Sequence, residues 1–438
     1  MSYRKNGTVM QQIRFPKPEI WPEVLRRPTK TVDEIEDVVE TVFQAVKESG
    51  DVALKKYTAK FDKVALSTLK VSEQEMQEAV ATVPEALKNA ITTAKKNIEA
   101  FHTAQKTDKV EVETMPGVLC WQEKRPIQKV GLYIPGGTAP LFSTILMLAV
   151  PAKIAGCEQI VLCTPPDSNG EINPAILFTA QLCGVDAIFK VGGIQAIGAM
   201  TFGTESIPAV YKIFGPGNQY VTVAKQMATK SGVSIDMPAG PSELLVVADD
   251  SAIPAFVASD LLSQAEHGID SQVVLVSTSE KLLEDVEKEI QKQLAVLPRK
   301  AIATQAMSNS KSILVKSDKE ALELINFYGP EHYIVCVENE EFYVQNTQNA
   351  GSVFIGNYTP ESAGDYASGT NHTLPTNGYA KQYSGVNLDS FTKSMTFQKL
   401  TRTGIQNLGE TIELMAAAEG LAAHKNAVSL RLKSLEDS

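Results

Sequence analysis

Histidine is scarce in this 438-residue chain: there are five, and four of them stand from His267 onward. Cysteine is equally scarce, with five residues (Cys120, Cys157, Cys163, Cys183 and Cys336) and no CxxC pair. An odd count without metal-type spacing argues against a disulfide framework and reads as reduced core thiols in a reducing compartment, the cytoplasm. A surplus of basic charge is also missing. The formal net charge is -10 with the signs well mixed, and nucleic acid, which needs a basic face, is not expected as a partner. No apolar run is long enough to cross a bilayer, so no membrane role is expected. The longest, LFSTILMLAV at 141–150, lies between Pro140 and Pro151 and suits a buried helix. The opening residues MSYRKNGTVMQQIRF have no apolar h-region and do not read as a secretory signal. The dinucleotide fingerprint GxGxxG is absent. KIFGPGNQY comes nearest, with Tyr220 at the third glycine position.

What remains is ordinary globular composition, 43% hydrophobic and 21% charged, over a length that allows two to four domains. Residues 31–110 read as helical. Thr31 to Glu34 form a capping box, and Ile35, Val38, Val39, Val42, Phe43 and Val46 follow a 3.6 period up to a stop at Gly50. Pro84 opens a second helix that carries Leu87, Ile91, Ala94, Ile98, Phe101 and His102; the last reads as an ordinary solvated or half-buried residue. From about 128 short apolar runs (VGLYIP, QIVLC, AIFKV, VYKIFG) alternate with helices, the pattern of a parallel sheet covered on both faces. PAGP at 238–241 marks a seam, and a second alternating set follows: ELLVVA, QVVLVS, SILVK, HYIVCV and SVFIG. The fold class is therefore α/β, two open, mainly parallel sheet domains with small N- and C-terminal helical extensions. The boundaries expected are an arm over 1–27, a discontinuous domain over 28–127 and 238–385, a second domain over 128–237, and a tail over 386–438. The tail is too short to hold a core alone and must pack on something else.

Three glycine turns, GLYIPGG, VGGIQAIG and KIFGPGN, fall at the same end of one expected sheet. Such turns let backbone N–H groups approach a phosphate, and together they point to a ligand crevice at the carboxyl edge. Each taken alone is equally a tight βα turn. Gln264 and His267 stand i, i+3 before Gly268, a shared helix face or simply a polar helix end. With Asp365 and His424 they form an N/O donor set that suits zinc, although spacing does not by itself bring the four together. Glu331-His332 follows Gly329-Pro330 at a strand start. A bend there allows a carboxylate and an imidazole to handle protons at one site; without it they are a surface pair. Ser242-Glu243, at the seam, lies where substrates often bind.

These strings resemble the histidinol dehydrogenase family from about Ile13 to Arg431, most densely at GLYIPGG, GGIQAIGAMTFGTES, KIFGPGN, IDMPAGPSE, DLLSQAEHG, YGPEH, PESAGDYASGTNH and AAHKNAV. The resemblance implies two incomplete Rossmann-like domains and an intertwined homodimer whose C-terminal tail enters the neighbour's site. It implies oxidation of L-histidinol through the aldehyde to L-histidine with two NAD and one zinc per site, the closing step of histidine biosynthesis. The implied zinc ligands are Gln264, His267, Asp365 and His424. Ser242, Glu419, His332 and His372 would touch substrate beside those ligands, Tyr133, Gln195 and Asn218 would touch NAD, and Glu331 with His332 would be the acid/base pair. Oxidation of a related alcohol, or zinc-dependent hydrolysis with structural glycine turns, are the competing readings.

Overall fold

The computed structural model describes residues 8–28, 33–136, 140–238 and 240–436. The chain divides into two units, Met1–Ala104 with Ile127–Ser390, and Gln105–Pro126 with Phe391–Ser438.

The larger unit carries two wholly parallel sheets, as the alternating pattern predicts. The six-stranded one runs, in spatial order, Gln11–Arg14, Lys311–Leu314, Gln272–Ser277, Glu243–Ala248, His332–Cys336 and Ser352–Ile355. The five-stranded one runs Ala187–Lys190, Gln159–Thr164, Lys129–Tyr133, Lys212–Phe214 and Ser234–Ile235. Central strands such as Glu243–Ala248 and Gln272–Ser277 are buried at every position. Helices cover both faces, which is why these strands are continuous apolar runs rather than alternating ones. The helix Phe142–Ala155 is buried from Ser143 to Ala152, as its uniform hydrophobicity implies.

The packing of the N-terminal helices departs from expectation. The stripe Ile35, Val39, Val42, Phe43 and Val46 shares its core with Ile194, Ile197 and Met200 on the helix Gly193–Phe202. These helices therefore cover the five-stranded sheet, not the six-stranded one. Gly193–Phe202 is apolar on nearly every side, so it needs an outer layer as well as the sheet beneath it. Gly50, at φ 47°, breaks the helical run as read. The capping box at Thr31 lies outside the described residues. The expected arm contributes an edge strand, Gln11–Arg14, paired with Lys311–Leu314. His102 is buried, with Nδ1 2.8 Å from the Ile98 carbonyl, and is not solvated.

The tail over 386–438, most of which lies in the second unit, was expected to be helical. The unit also holds an antiparallel sheet, in which Val118–Pro126 lies between Val110–Met115 and Thr392–Leu400. Two helices follow, Arg402–Ala418 and Ala422–Glu436. All six residues of Val110–Met115 are exposed, so no apolar run marks that strand in the sequence. The five cysteines are free thiols. Among the described residues no helix is long and apolar enough to cross a membrane.

Candidate active site

The three glycine turns line one cavity of about 900 Å³ at the carboxyl edge of the five-stranded sheet. Tyr133 ends the strand Lys129–Tyr133, and its hydroxyl accepts from the Gly193 N–H at 3.0 Å. Gln195, in the first turn of Gly193–Phe202, is buried, and neither atom of its amide has a hydrogen-bond partner. A buried, unsatisfied amide facing a cavity is costly unless a ligand completes it. Asn218 caps the helix Gln219–Lys230 by accepting from the Val221 N–H at 3.1 Å. Backbone closeness is built in as well: Gly215 sits at φ +125°, and a Cβ there would lie 2.0 Å from the Tyr133 carbonyl oxygen. Phe61 and Asp62 also line the cavity. They stand at the end of a helix with no glycine or motif beside them, and sequence reading misses them.

The second cluster forms at the amino edge of the six-stranded sheet. Helix Asp318–Tyr328 ends on Gly329 in the left-handed conformation, and the chain bends into the strand His332–Cys336. Glu331 and His332 therefore converge, with His332 Nδ1 3.6 Å from Glu331 Oε2. His332 Nδ1 is also 3.6 Å from Glu361 Oε1, and its Nε2 is 3.4 Å from Asp365 Oδ1. The last contact is close enough for charge attraction but lacks hydrogen-bond alignment. Burial works against charge on His332, but the carboxylates of Glu361 and Glu331 outweigh it and hold the imidazole well above its usual range. Burial pushes Glu361 up. Burial works the same way on Asp365, yet its contact with His332 wins and brings it down.

Gln264 is fully buried and joins this cluster. Its amide nitrogen donates to Glu361, and its oxygen accepts from the Glu243 N–H at 2.9 Å. The same N–H donates to Glu331 Oε2 at 2.8 Å. His267 is exposed and stands two residues beyond Pro254–Ala265, so it shares a turn with Gln264 rather than a helix face. His372 Nδ1 lies 2.8 Å from the Asp365 carbonyl, and its Nε2 lies 3.2 Å from Thr144 Oγ1. Thr144 is on the helix that follows the first glycine turn, so this imidazole links the two clusters. Ser242 immediately precedes the strand Glu243–Ala248. Glu419 and His424 belong to the second unit and are exposed there.

Sequence reasoning missed Glu361. A signal was present: it stands one helical turn before Asp365 in the short helix Glu361–Tyr366, at i, i+4. Among the described residues, the His, Cys, Asp and Glu donors that form a metal-sized cluster are His332, Glu361 and Asp365, whose ligand atoms lie within 4.8 Å of one another. Gln264, His267 and Asp365 add an amide oxygen, an imidazole and a carboxylate, the N/O chemistry that fits zinc. Gln264 keeps a second lone pair on its oxygen beyond the Glu243 contact.

A parallel-sheet cleft ringed by glycine turns, linked through one imidazole to a buried carboxylate–imidazole cluster, places the molecule among the α/β dehydrogenases. Sequence relationships narrow the class. Residues 25–432 match the family model described as histidinol dehydrogenase. Histidinol dehydrogenase of Bacteroides thetaiotaomicron is 60% identical over 428 residues, 98% of this chain and 100% of the relative. That of Escherichia coli is 53% identical over 418 residues, 95% of each. The crystal structure of histidinol dehydrogenase from Elizabethkingia anophelis, 56% identical, superposes with a TM-score of 0.96 over 98% of this chain and 100% of that one. The chain belongs to the histidinol dehydrogenase family.

Proposed function

We propose that this protein oxidises L-histidinol through L-histidinaldehyde to L-histidine, reducing two NAD, as the last step of histidine biosynthesis in the cytoplasm. The observation that carries this reading is the pair of contacts made by His372, which tie the Asp365 cluster to Thr144 on the helix that follows the first glycine turn of the cleft. A hydride donor and its acceptor must meet across such a junction.

Tyr133, Gln195 and Asn218 receive the dinucleotide, with the unpaired amide of Gln195 as its most buried polar contact. Gln264, His267 and Asp365 would hold zinc, and His424 would complete the set. Bound there, zinc supplies a Lewis-acidic anchor for the imidazole and amine of the substrate. Ser242, Glu419, His332 and His372 position the same molecule. The Glu331 and Glu361 carboxylates that face His332 stabilise the imidazolium formed when it accepts a proton. His332 takes the hydroxyl proton as hydride leaves the carbon. Glu331 then takes a proton from the water that attacks the aldehyde carbonyl, and a second hydride leaves. Glu419 and His424 lie on a tail too small to hold its own core, and by the resemblance to histidinol dehydrogenases a second copy of the chain supplies them in an intertwined homodimer.

Mixing the purified protein with histidinol and NAD tests the reading. Absorbance from two NADH per histidinol, with histidine as product, is the expected result. One NADH per molecule of a different alcohol, or none with any alcohol, would reject it.

A further inference from the structure

We propose that Arg27 is a positioning residue for the Glu331–His332 pair, acting through Glu243 and through the turn that precedes Glu331. The role in catalysis rests on the function proposed above; the geometry does not.

Arg27 is mostly buried, and its side-chain exposure of 17% meets a Glu243 carboxylate at 2%. Its Nε donates to Glu243 Oε2 at 2.5 Å. Its Nη2 donates to the Tyr328 carbonyl at 3.0 Å and reaches the Gly329 carbonyl at 3.5 Å. The guanidinium stacks 3.9 Å above the centre of the Tyr328 ring. One planar fork thus grips two adjacent segments, the start of the strand Glu243–Ala248 and the helix end that leads into Glu331.

Both gripped segments deliver groups to the pair. The Glu243 N–H donates to Glu331 Oε2 at 2.8 Å, and the Glu243 carbonyl lies 3.3 Å from His332 Nδ1. The strands run in register there, with His332 beside Leu244. Tyr328 is anchored in turn by its hydroxyl, which donates to Gln272 Oε1 at 3.0 Å on the next strand. The backbone of residue 243 is therefore a template for both catalytic side chains, and Arg27 fixes that template from behind.

Electrostatics favours the same role. The Glu243 and Glu331 carboxylates are both buried and close enough to repel. Arg27 pairs with Glu243. Without it the buried Glu243 carboxylate loses its hydrogen-bonded ion-pair partner and can move, and the template moves with it. Lysine cannot replace the fork, because a compact ammonium makes neither the stack nor the divergent bonds.

Arg27→Met and Arg27→Lys in the full-length enzyme test this, with Glu331→Gln as background. A misplacement of about 1 Å can cost a factor of about 10² in rate. We expect Arg27→Met to lower kcat by about tenfold to a hundredfold. Histidinol affinity should fall less than kcat does, and Arg27→Lys should recover only part of the rate. In the Glu331→Gln background, adding Arg27→Met should cost aldehyde oxidation less than it does in the wild-type background, because one of the two groups it positions is already gone. Five histidines make ¹⁵N-histidine spectra simple, and the His332 ring resonances should shift in both Arg27 variants. That readout stands even if histidinol is not the substrate. Should Arg27→Met fail to fold, Arg27→Lys carries the same tests. Unmoved His332 resonances, a loss confined to histidinol affinity, or a full multiplicative loss in the Glu331→Gln background would overturn the proposal.

Discussion

The Glu331 carboxylate and the His332 imidazole face each other at 3.6 Å, although the two residues are consecutive at the entry to a strand. Regular strand geometry would send them to opposite faces. The left-handed Gly329 turn removes that conflict. The two groups suit different steps: alcohol oxidation needs a base for a hydroxyl proton, while aldehyde oxidation also needs an activated water. Loss of a positioned acid/base group costs ~10²–10⁴ in rate. His332→Asn should slow both half-reactions by that order. Glu331→Gln should slow oxidation of histidinal more than that of histidinol. Single-turnover assays started from each substrate separate them, and equal losses for Glu331→Gln would mean that it orients His332 instead of activating water.

Gly215→Ala probes the cofactor cleft. The new Cβ would lie 2.0 Å from the Tyr133 carbonyl oxygen, at a φ of +125° that side chains rarely adopt. The turn must open, which displaces both Tyr133 and Asn218. Strain of this kind costs about 1–3 kcal/mol. We expect KM for NAD to rise about tenfold with KM for histidinol nearly unchanged, an effect of about 1.4 kcal/mol. If only the histidinol KM rises, the cleft is not the cofactor site.

Much of this was legible in the sequence because the determinants are local. A buried parallel strand is an apolar run, a close backbone approach needs glycine, and a bend before Glu331 needs Gly329. Arg27 is not legible: it lies 216 positions from Glu243, and nothing beside it marks the pairing. Glu361 is half-legible through its helical spacing from Asp365. The N-terminal helices carry a clear apolar stripe, but a stripe records that a face is buried and not which sheet buries it. The exposed strand Val110–Met115 carries no apolar run and pairs locally with Val118–Pro126, while the third strand, Thr392–Leu400, comes from far along the chain, so the sheet is a product of tertiary pairing.

Two donor sets compete for a metal, and mutation distinguishes them. Gln264, His267, Asp365 and His424 predict about one zinc per subunit. In that arrangement His267→Ala and His424→Ala lose most of the metal, while His332→Asn keeps it. If the ion instead sits on the tight cluster of His332, Glu361 and Asp365, His332→Asn loses it and His267→Ala does not. Metal analysis of the three purified variants gives the answer.

Complementation tests the proposed sharing of the tail between subunits. His424→Ala and His267→Ala are each expected to be inactive. Refolded together, they should form mixed dimers in which one site has both histidines, and activity should return to about a quarter of wild type, since half the dimers are mixed and half of their sites are intact. Activity that stays at the level of the parents, while wild type refolds fully under the same conditions, would mean that each tail serves its own subunit.

Asp260 gives the fold a pH dependence whose sign is fixed. Its carboxyl is buried on the helix Pro254–Ala265, and burial pushes its pKa up to about 7. In the unfolded chain an aspartate titrates near ~3.9. The folded state therefore holds this proton more tightly, and the group favours folding only while it is protonated. Below the unfolded value both states are protonated and there is no effect. Between about 4 and 7 the unfolded chain ionises first and stability falls as pH rises; above about 7 the penalty is complete. Asp260→Asn removes the titration while keeping the size of the side chain. It should stabilise the protein at pH 8 by roughly 2–4 kcal/mol, given about 1.4 kcal/mol for each tenfold gain in proton affinity on folding. At pH 5 the gain should shrink to about half or less. Urea unfolding of both proteins at the two pH values reads this directly. A gain that is equal at pH 5 and pH 8 would show that the carboxyl is not held protonated in the fold, and that Asp260→Asn acts through packing alone.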